Sequence, residues 1–576
     1  VKLFQKKKLS LQEKIEKRKN LLLLSLSGIL LASAFPPVSF HFLIFVALIP
    51  FFIVLEKRKT LAEINRATYF MAFIFSLFTV YWVGGFTVGK DYYLMISGFV
   101  LLFFNPLLFL IASTLFYFAV KVFSRKTAML LFPMFWVCYE YCYSLTDFQF
   151  PWITLGNSQT KFLHFIQIAD VIGVYGLSLI IVFVNLFFFI SYRHFVKKYN
   201  YKLPFAVALL LIILPIIYGV IKEKSFKESE KKIRVGLVQP NLDPYEKWSG
   251  GNLDELTGLY LSLSHKAAAQ NAGLIIWPET ALPVYLLSGE YYNTIDSIKN
   301  FINSSHIPLL TGMPNFITYF DSAKAPSDAK YSDAGKFYYT NYNAILLFNP
   351  NETKIQAYGK MKLVPFGEHT PFADQLPFLG DLIKWGVGLG GWNIGKDTVN
   401  FKLGIRNYEL GNSHQTNNPQ QTTNINAVVC YESIFPEFIA AFAQRGSQMI
   451  AVVTNDSWYG NTSGPYQHKE IAVLRAVENR RSVVRAANGG ISCIINPLGI
   501  TAAATKMYTK DVLVGDVSLN DEKTFYTTHP FLVPVTSSAL SLWIFGLFIM
   551  IKLKTKFDRN KLVTREEEIV ETGNKV

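Results

Sequence analysis

The chain has 576 residues, 51% of them hydrophobic and 15% aromatic, with a mean hydropathy of +0.25. That is too apolar for one soluble globule and long enough for several units. The net charge of +15 is unevenly placed. Residues 222–529 hold 28 Lys+Arg and 28 Asp+Glu, so all of the excess lies elsewhere, and the nucleic-acid reading of a basic pI fails.

Apolar runs of about 17 to 25 residues, the length a helix needs to span a bilayer, lie near 21–35, 38–55, 67–88, 93–120, 127–145, 166–191, 205–221 and 530–551. They predict a polytopic α-helical membrane bundle of eight transmembrane helices. Seven of these fall in a membrane part over 1–221. The eighth, with a terminal tail, occupies 530–576. When the spans are threaded alternately, the basic residues of 1–20, Lys57-Arg58-Lys59, Lys121, Arg125-Lys126, Arg193, Lys197-Lys198 and the C-terminal tail share one side. Only Lys90 and Lys161 fall opposite. Positive residues stay cytoplasmic, so both termini are expected inside and 222–529 outside, and the basic charge marks topology and contact with anionic headgroups. Ala32-Ser33-Ala34 after an apolar stretch also resembles a signal-peptide cleavage site. The prolines Pro36-Pro37 and the next span follow at once, so retention is the expectation. Glu140 and Asp170 are expected near the outer interface, because charge at membrane depth is costly.

Residues 222–529 contain no apolar run of that length and read as one soluble domain. Strands are predicted over Ile233–Pro240, Gly273–Trp277, Pro308–Met313, Ala344–Asn349, Ile425–Cys430, Met449–Asn455, Ile491–Asn496 and Val512–Val517, and helices over 253–270, 291–302, 435–445 and 465–485. Strands alternating with helices predict an α/β fold with covered sheets. The polar stretches 321–337 and 404–424 read as surface insertions. Four cysteines, Cys138, Cys142, Cys430 and Cys493, are too few for a disulfide framework.

Three short segments place a reactive residue at a strand end or in a loop, where α/β sheets present their chemistry. They are Trp277-Pro278-Glu279, Tyr358-Gly359-Lys360 running into Leu363-Val364-Pro365-Phe366-Gly367-Glu368, and Val429-Cys430-Tyr431-Glu432. A thiol at its free pKa is mostly protonated at neutral pH and needs a base or a nearby cation. Glu279 can take the proton. Lys360 can hold the thiolate and then the oxyanion, where a missing donor typically costs roughly 3 kcal/mol. Taken singly, Cys430 is a small core residue, Lys360 a surface lysine and Glu279 a helix cap; their comparable positions point to a nucleophilic cysteine site. No His/Cys cluster has metal-ligand spacing and no glycine loop has the form of a phosphate cradle. No metal or cofactor is therefore expected, and His468 reads as a structural hydrogen-bonder.

These segments, with Thr454–Gly460, Gly464–His468, Arg475–Arg480 and Arg485–Gly490, resemble the carbon–nitrogen hydrolase (nitrilase) superfamily. The resemblance implies an inserted αββα sandwich and a Glu-Lys-Cys site. Ala34–Pro37, Phe150–Gln159 and Gly173–Ser178 extend it over nearly the whole chain, to the apolipoprotein N-acyltransferase family. That resemblance implies catalytic roles for Glu279, Lys360 and Cys430 and supporting roles for Glu368 and Glu432. It also implies pocket positions for Tyr431, Trp248 and Asn343. The implied reaction moves an acyl chain from a phospholipid, through a thioester on Cys430, to the amine of a diacylglyceryl-modified apolipoprotein. The implied location is the bacterial inner membrane, with the catalytic domain periplasmic. Lys362, where many relatives carry His, and the 404–424 insertion depart from the pattern. The alternative is a membrane-tethered amidase acting on a small periplasmic amide, which the same triad would serve.

Overall fold

The computed structural model describes residues 10–85, 88, 91–249, 251–369, 371–372, 391–405 and 421–573. Lys6, Lys7, Lys8, Lys90 and residues 406–420 of the expected insertion lie outside them.

Eight helices make up most of the N-terminal part: α1 (Leu11–Ser33), α2 (Ile49–Leu55), α3 (Leu61–Val80), α4 (Tyr92–Leu108), α5 (Leu110–Val122), α6 (Arg125–Leu145), α7 (Ala169–Val196) and α8 (Lys202–Ser225). A final helix covers Leu532–Gly573. Capping boxes Ser10/Glu13 and Thr60/Glu63 fix the starts of α1 and α3. Helix covers part of every predicted span, but among the described residues five stretches are both long and apolar enough to cross a membrane. These are Leu61–Gly84, Leu94–Val122, Ala169–Val196, Lys202–Ser225 and Leu532–Leu562. The first expected span is diluted because α1 begins ten residues earlier, on a charged turn. The second breaks into a 3-10 turn at His41–Phe45 and the short α2. At that break Asn185 of α7 accepts from Leu48 N at 2.7 Å and donates to the Ile44 carbonyl at 2.7 Å. Backbone groups away from water are thereby satisfied.

Basic segments expected on one side do meet. Arg125 donates to the Glu56 carbonyl at 2.5 Å and to that of Arg58, and Arg193 Nε lies 3.1 Å from Glu56. Lys161, expected opposite, pairs at 2.6 Å with Glu470 in the α/β part.

The strands are β1 (Lys232–Gln239), β2 (Leu274–Trp277), β3 (Leu309–Tyr319), β4 (Lys330–Ser332), β5 (Phe337–Phe348), β6 (Gln356–Gly359), β7 (Asn400–Ile405), β8 (Gln421–Val429), β9 (Met449–Thr454), β10 (Ser482–Ala487), β11 (Cys493–Ile495), β12 (Thr501–Ala504) and β13 (Asp511–Ser518). One sheet runs β13-β1-β2-β3-β5-β4, with β6 also on β5; the other runs β12-β11-β10-β9-β8-β7. The central pairs β1–β2, β2–β3, β8–β9 and β9–β10 are parallel. Alternation along the strands sends Val235, Leu237, Ile276, Leu310 and Ile345 inward, against Ile425, Ala427, Ala451 and Val453 of the other sheet. The opposite face of the first sheet, with Ile275, Trp277 and Leu309, is covered by α10 (Leu253–Ala268) and α11 (Tyr292–Ser305), following a short α9 (Pro244–Trp248). Helices α12 (Pro436–Gln444) and α13 (Ser463–Asn479) go with the second sheet, giving the expected αββα sandwich.

Two expectations are corrected. The helix expected over 465–485 stops at Asn479, where Arg480 turns left-handed (φ +47°), and Ser482–Ala487 is a buried strand beside β9. The polar stretches are not plain insertions: 321–337 contains β4, and the 404–424 segment is flanked by β7 and β8, which pair with each other.

Helix α13 joins the sandwich to the membrane part. Gln467 accepts from the indoles of Trp82 (3.1 Å) and Trp152 (2.8 Å) and donates to the carbonyls of Pro36 and Thr79 (3.1 and 3.0 Å). Glu478 accepts from Val174 N at 2.9 Å, just after Gly173, whose φ of +63° kinks α7 and leaves room for the Tyr526 ring. Arg480 binds Asp170 at 2.8 Å and Gln167 at 2.6 Å, and Lys222 reaches Asp170 at 3.4 Å. Asp170 and Glu140 are both buried, Asp170 at this seam and Glu140 accepting from Trp136 and from Leu155 N, each at 2.9 Å. Removing one partner of a buried pair costs about 3–5 kcal/mol, whereas an exposed pair contributes about 0–1 kcal/mol. Arg480→Ala is therefore expected to lower the thermal unfolding midpoint of the detergent-solubilised protein clearly. Lys396→Ala, which breaks the exposed pair with Asp328, is expected to leave it nearly unchanged.

Candidate active site

Each expected residue follows a strand that ends at the same edge of the sandwich. Glu279 lies two residues beyond β2, Lys360 directly after β6, and Cys430 directly after β8 with φ +49°. Behind Glu279 the backbone passes so close to Gly312 that a Cβ there would lie 2.6 Å from the Glu279 Cα. Glycine at this point lets the carboxylate be set down against β3.

Lys360 is 1% exposed and its ammonium sits between two carboxylates, 3.4 Å from Glu279 Oε1 and 2.7 Å from Glu368 Oε2. Burial alone would push this ammonium down; Glu368 and Glu279, with help from Cys430, outweigh it and hold the group well above the usual lysine range. Asn343 on β5 donates to Glu279 at 2.8 Å and to Glu368 at 2.9 Å, so one amide orients both carboxylates. Glu279 Oε2 accepts from Asn455 N at 3.0 Å, and Glu368 Oε2 from Val364 N at 2.9 Å.

Cys430 is a free, half-buried thiol lining one cavity with Glu279, Lys360, Glu368 and Asn343. Burial and the Glu279 charge push the thiol up, while Lys360 and the Thr454 hydroxyl pull it down. Glu432, fully buried, fastens the lysine loop to the cysteine turn. Its carboxylate accepts from Tyr358 OH (2.6 Å), Met361 N (2.6 Å), Lys362 N (3.1 Å) and Val429 N (2.8 Å). Burial pushes Glu432 up, and those donors pull it back. Tyr431 is buried, bonded through its hydroxyl to the Gln149 carbonyl and stacked on Phe150 at 6.2 Å. Trp248 lines the cavity, and its indole N–H is buried without a hydrogen-bond partner among the described residues. Lys362, the departure from the family pattern, donates to Gln149 at 3.2 Å and lies over the Phe435 ring. It stays out of the triad. All eight sequence-predicted site residues thus fall at or beside one place.

Two cavities meet at Cys430. One holds Glu279, Lys360 and Glu368. The other, largely apolar, runs from Cys430 and Tyr431 past Asp456 and His468 to Trp82, Val83 and Leu101 of the membrane part.

Residues 27–187 match the apolipoprotein N-acyltransferase N-terminal domain, and residues 234–526 match the carbon-nitrogen hydrolase family. The apolipoprotein N-acyltransferase of Chlorobaculum tepidum is 33% identical over 518 residues, covering 88% of this chain and 92% of the relative. The chain belongs to the apolipoprotein N-acyltransferase family. The Geobacter metallireducens member is 31% identical over 528 residues, covering 89% of this chain and 92% of its own. Among solved structures, an amidase from Nesterenkonia sp. aligns with 17% identity and a TM-score of 0.34, over 53% of this chain and 94% of its own. Saccharomyces cerevisiae Nit3 aligns with 15% identity and a TM-score of 0.35, over 53% of this chain and 97% of its own.

Sequence reasoning assigned no role to Asp456, Arg485 or Lys247, which lie around the site. Cys430, Asp456 and His468 lie close enough to share a cation. Arg485 already fills that position, however, 2.5 Å from Asp456 and 2.9 Å from His468 Nδ1. His468 lies 3.1 Å from the Cys430 carbonyl and 3.0 Å from Ser433 Oγ, the structural role expected of it. Lys247 was legible only as a neighbour of Trp248. Its buried ammonium donates to the carbonyl of Thr280, which follows Glu279 with φ +45°.

Burial pulls Lys247 down to about 8, from 10.5 for a free lysine, although Glu279 raises it. Between those values the unfolded chain holds a proton that the folded protein has released. Stability from this group therefore rises with pH across that window, by at most about 1.4 kcal/mol per pH unit. Lys247→Met has no such proton. Its unfolding midpoint relative to the parent is expected to be higher at pH 7 than at pH 10, measured by thermal denaturation at both.

Proposed function

We propose that the protein transfers a fatty acyl chain from a membrane phospholipid to the N-terminal amine of a diacylglyceryl-cysteine apolipoprotein, in two steps through a thioester on Cys430. The observation that carries this reading is the meeting, at one sulfur, of a cavity holding the charged residues and a largely apolar cavity that reaches Trp82, Val83 and Leu101 of the membrane part. In the first step Glu279 takes the thiol proton and the sulfur attacks the ester carbonyl, by family resemblance at the sn-1 position of phosphatidylethanolamine. Lys360 Nζ faces the oxyanion that forms. Collapse breaks the C–O bond, and the departing lysophospholipid oxygen takes the proton back from Glu279. In the second step the acceptor's α-amino nitrogen attacks the thioester and Glu279 receives its proton. The C–S bond then breaks, an amide remains, and the thiolate recovers the proton. Glu368 and Asn343 keep Lys360 and Glu279 aimed, and Glu432 and Tyr431 fix the cysteine turn. Trp248 offers its indole N–H to the lipid's polar end.

The same reading divides the chain into a seven-helix membrane part over 1–221, a periplasmic catalytic domain over 222–529 and a last span with a cytoplasmic tail over 530–576. The eight-helix count, the inner-membrane location and the outward orientation belong to it. Support comes from the convergence of the basic loops at one end and from Lys161 pairing with the catalytic domain. A chamber beside the bilayer that excludes bulk water also slows thioester hydrolysis. A tethered amidase for small amides would have no use for an apolar cavity continuing among membrane helices.

The test is mass spectrometry of the intact protein after incubation with a defined phospholipid. One acyl adduct on Cys430 is expected, absent from Cys430→Ala and discharged by a diacylglyceryl-cysteine peptide. An adduct that persists in Cys430→Ala, or ammonia release from small amides with no adduct in the parent, overturns the reading.

A further inference from the structure

The parallel pairing of β8 with β9 sets Val429 opposite Val453, so the next residues, Cys430 and Thr454, lie side by side as the strands end. Thr454 is fully buried, and its hydroxyl oxygen lies 3.2 Å from Cys430 Sγ and 3.1 Å from Asp456 Oδ1. A hydroxyl has one proton to donate, and both neighbours are acceptors. Asp456 is otherwise well supplied: Arg485 lies 2.5 Å from Oδ2 and His468 Nδ1 lies 2.9 Å from Oδ1. It loses little when the hydroxyl turns away.

We propose that Thr454 is a positioning residue whose hydroxyl turns from Asp456 to the Cys430 sulfur when the thiolate forms, and turns back when the sulfur is acylated. The hydroxyl keeps its proton throughout, and only the acceptor changes. A thiolate is a far stronger acceptor than a thiol or a thioester, so the hydrogen bond exists chiefly in the state that must attack or leave. That is the differential interaction catalysis requires. Among the described residues, the other charged or titratable groups around the sulfur are Glu279, beyond β2, and Lys360, beyond β6; Asp456 and Tyr459, from the turn after β9; Arg485 of β10; and His468 of α13. Lys360 is the cation that lowers the thiol, and it is already held by two carboxylates. A neutral donor beside the sulfur supplements it at no cost in buried charge.

The proposal rests on Cys430 as the nucleophile, but its readout does not depend on acyl transfer. The full-length protein in detergent is treated with iodoacetamide at pH 8, and alkylation of the Cys430 peptide is followed by mass spectrometry. Hydrogen bonds to charged groups shift an ionisation by about one pH unit or more. Thr454→Val should therefore alkylate about tenfold more slowly, while Thr454→Ser stays within about twofold of the parent. Thr454→Ala and Thr454→Ser both lack the methyl group and differ only in the oxygen, so their ratio gives the same comparison if the valine variant folds poorly. Equal rates for the alanine and serine variants overturn the proposal, as does a folded Thr454→Val that alkylates at the parental rate. If the acyl adduct never forms while the alkylation difference persists, the proposed function fails and the role of Thr454 stands.

Discussion

An ammonium ion taken out of water survives in a protein interior only when anions and acceptors replace its hydration, and Lys360 meets that demand with Glu279 and Glu368. The rest of the site follows from this requirement. Two carboxylates this close would repel each other without the cation between them. They keep their places because Asn343 donates to both and because backbone amides of Asn455 and Val364 complete their shells. A cation beside the sulfur is thus held in place by carboxylates that are themselves fixed.

The second constraint is mechanical. The lysine loop and the cysteine turn come from different sheets, and Glu432 ties them with three hydrogen bonds, from Tyr358, Met361 and Lys362, while a fourth from Val429 N closes the cysteine turn itself. The cysteine turn is tied in turn to the membrane part. Gln467 and His468 are consecutive on α13: the first binds segments around Pro36, Thr79, Trp82 and Trp152, and the second contacts the Cys430 carbonyl. The three membrane-part signatures seen in the sequence, Ala34–Pro37, Phe150–Gln159 and Gly173–Ser178, all touch α13 in this way. They are docking contacts. They hold the membrane helices in register with the cysteine turn, and Phe150 and Trp152 of the second signature also line the cavity that runs from the sulfur.

Long apolar runs, the charge asymmetry and most central strands were legible because each is a local property of composition or periodicity. Central strands such as β8 and β9 are buried on both faces and read as continuous apolar runs. Less legible were β4, β6 and β12, which are short, partly exposed strands whose pairing partners are settled by the rest of the sheet. The Arg480 turn was hidden for a related reason. Nothing in Glu478-Asn479-Arg480-Arg481 resembles a glycine stop, and the helix ends there because Arg480 is held by Asp170 and Gln167 across the seam.

By itself the sequence determined the kinds of chemistry available: a thiol, an ammonium and carboxylates, each at a strand end, in a neutral domain bracketed by apolar helices. Those are properties of residue type and spacing along the chain. Only the tertiary structure decided which groups share a proton or a charge. Thr454 beside the sulfur, Lys247 beneath Glu279 and Gln467 between two indoles depend on strand register and helix packing. Such contacts join residues far apart in the chain, so no local pattern records them.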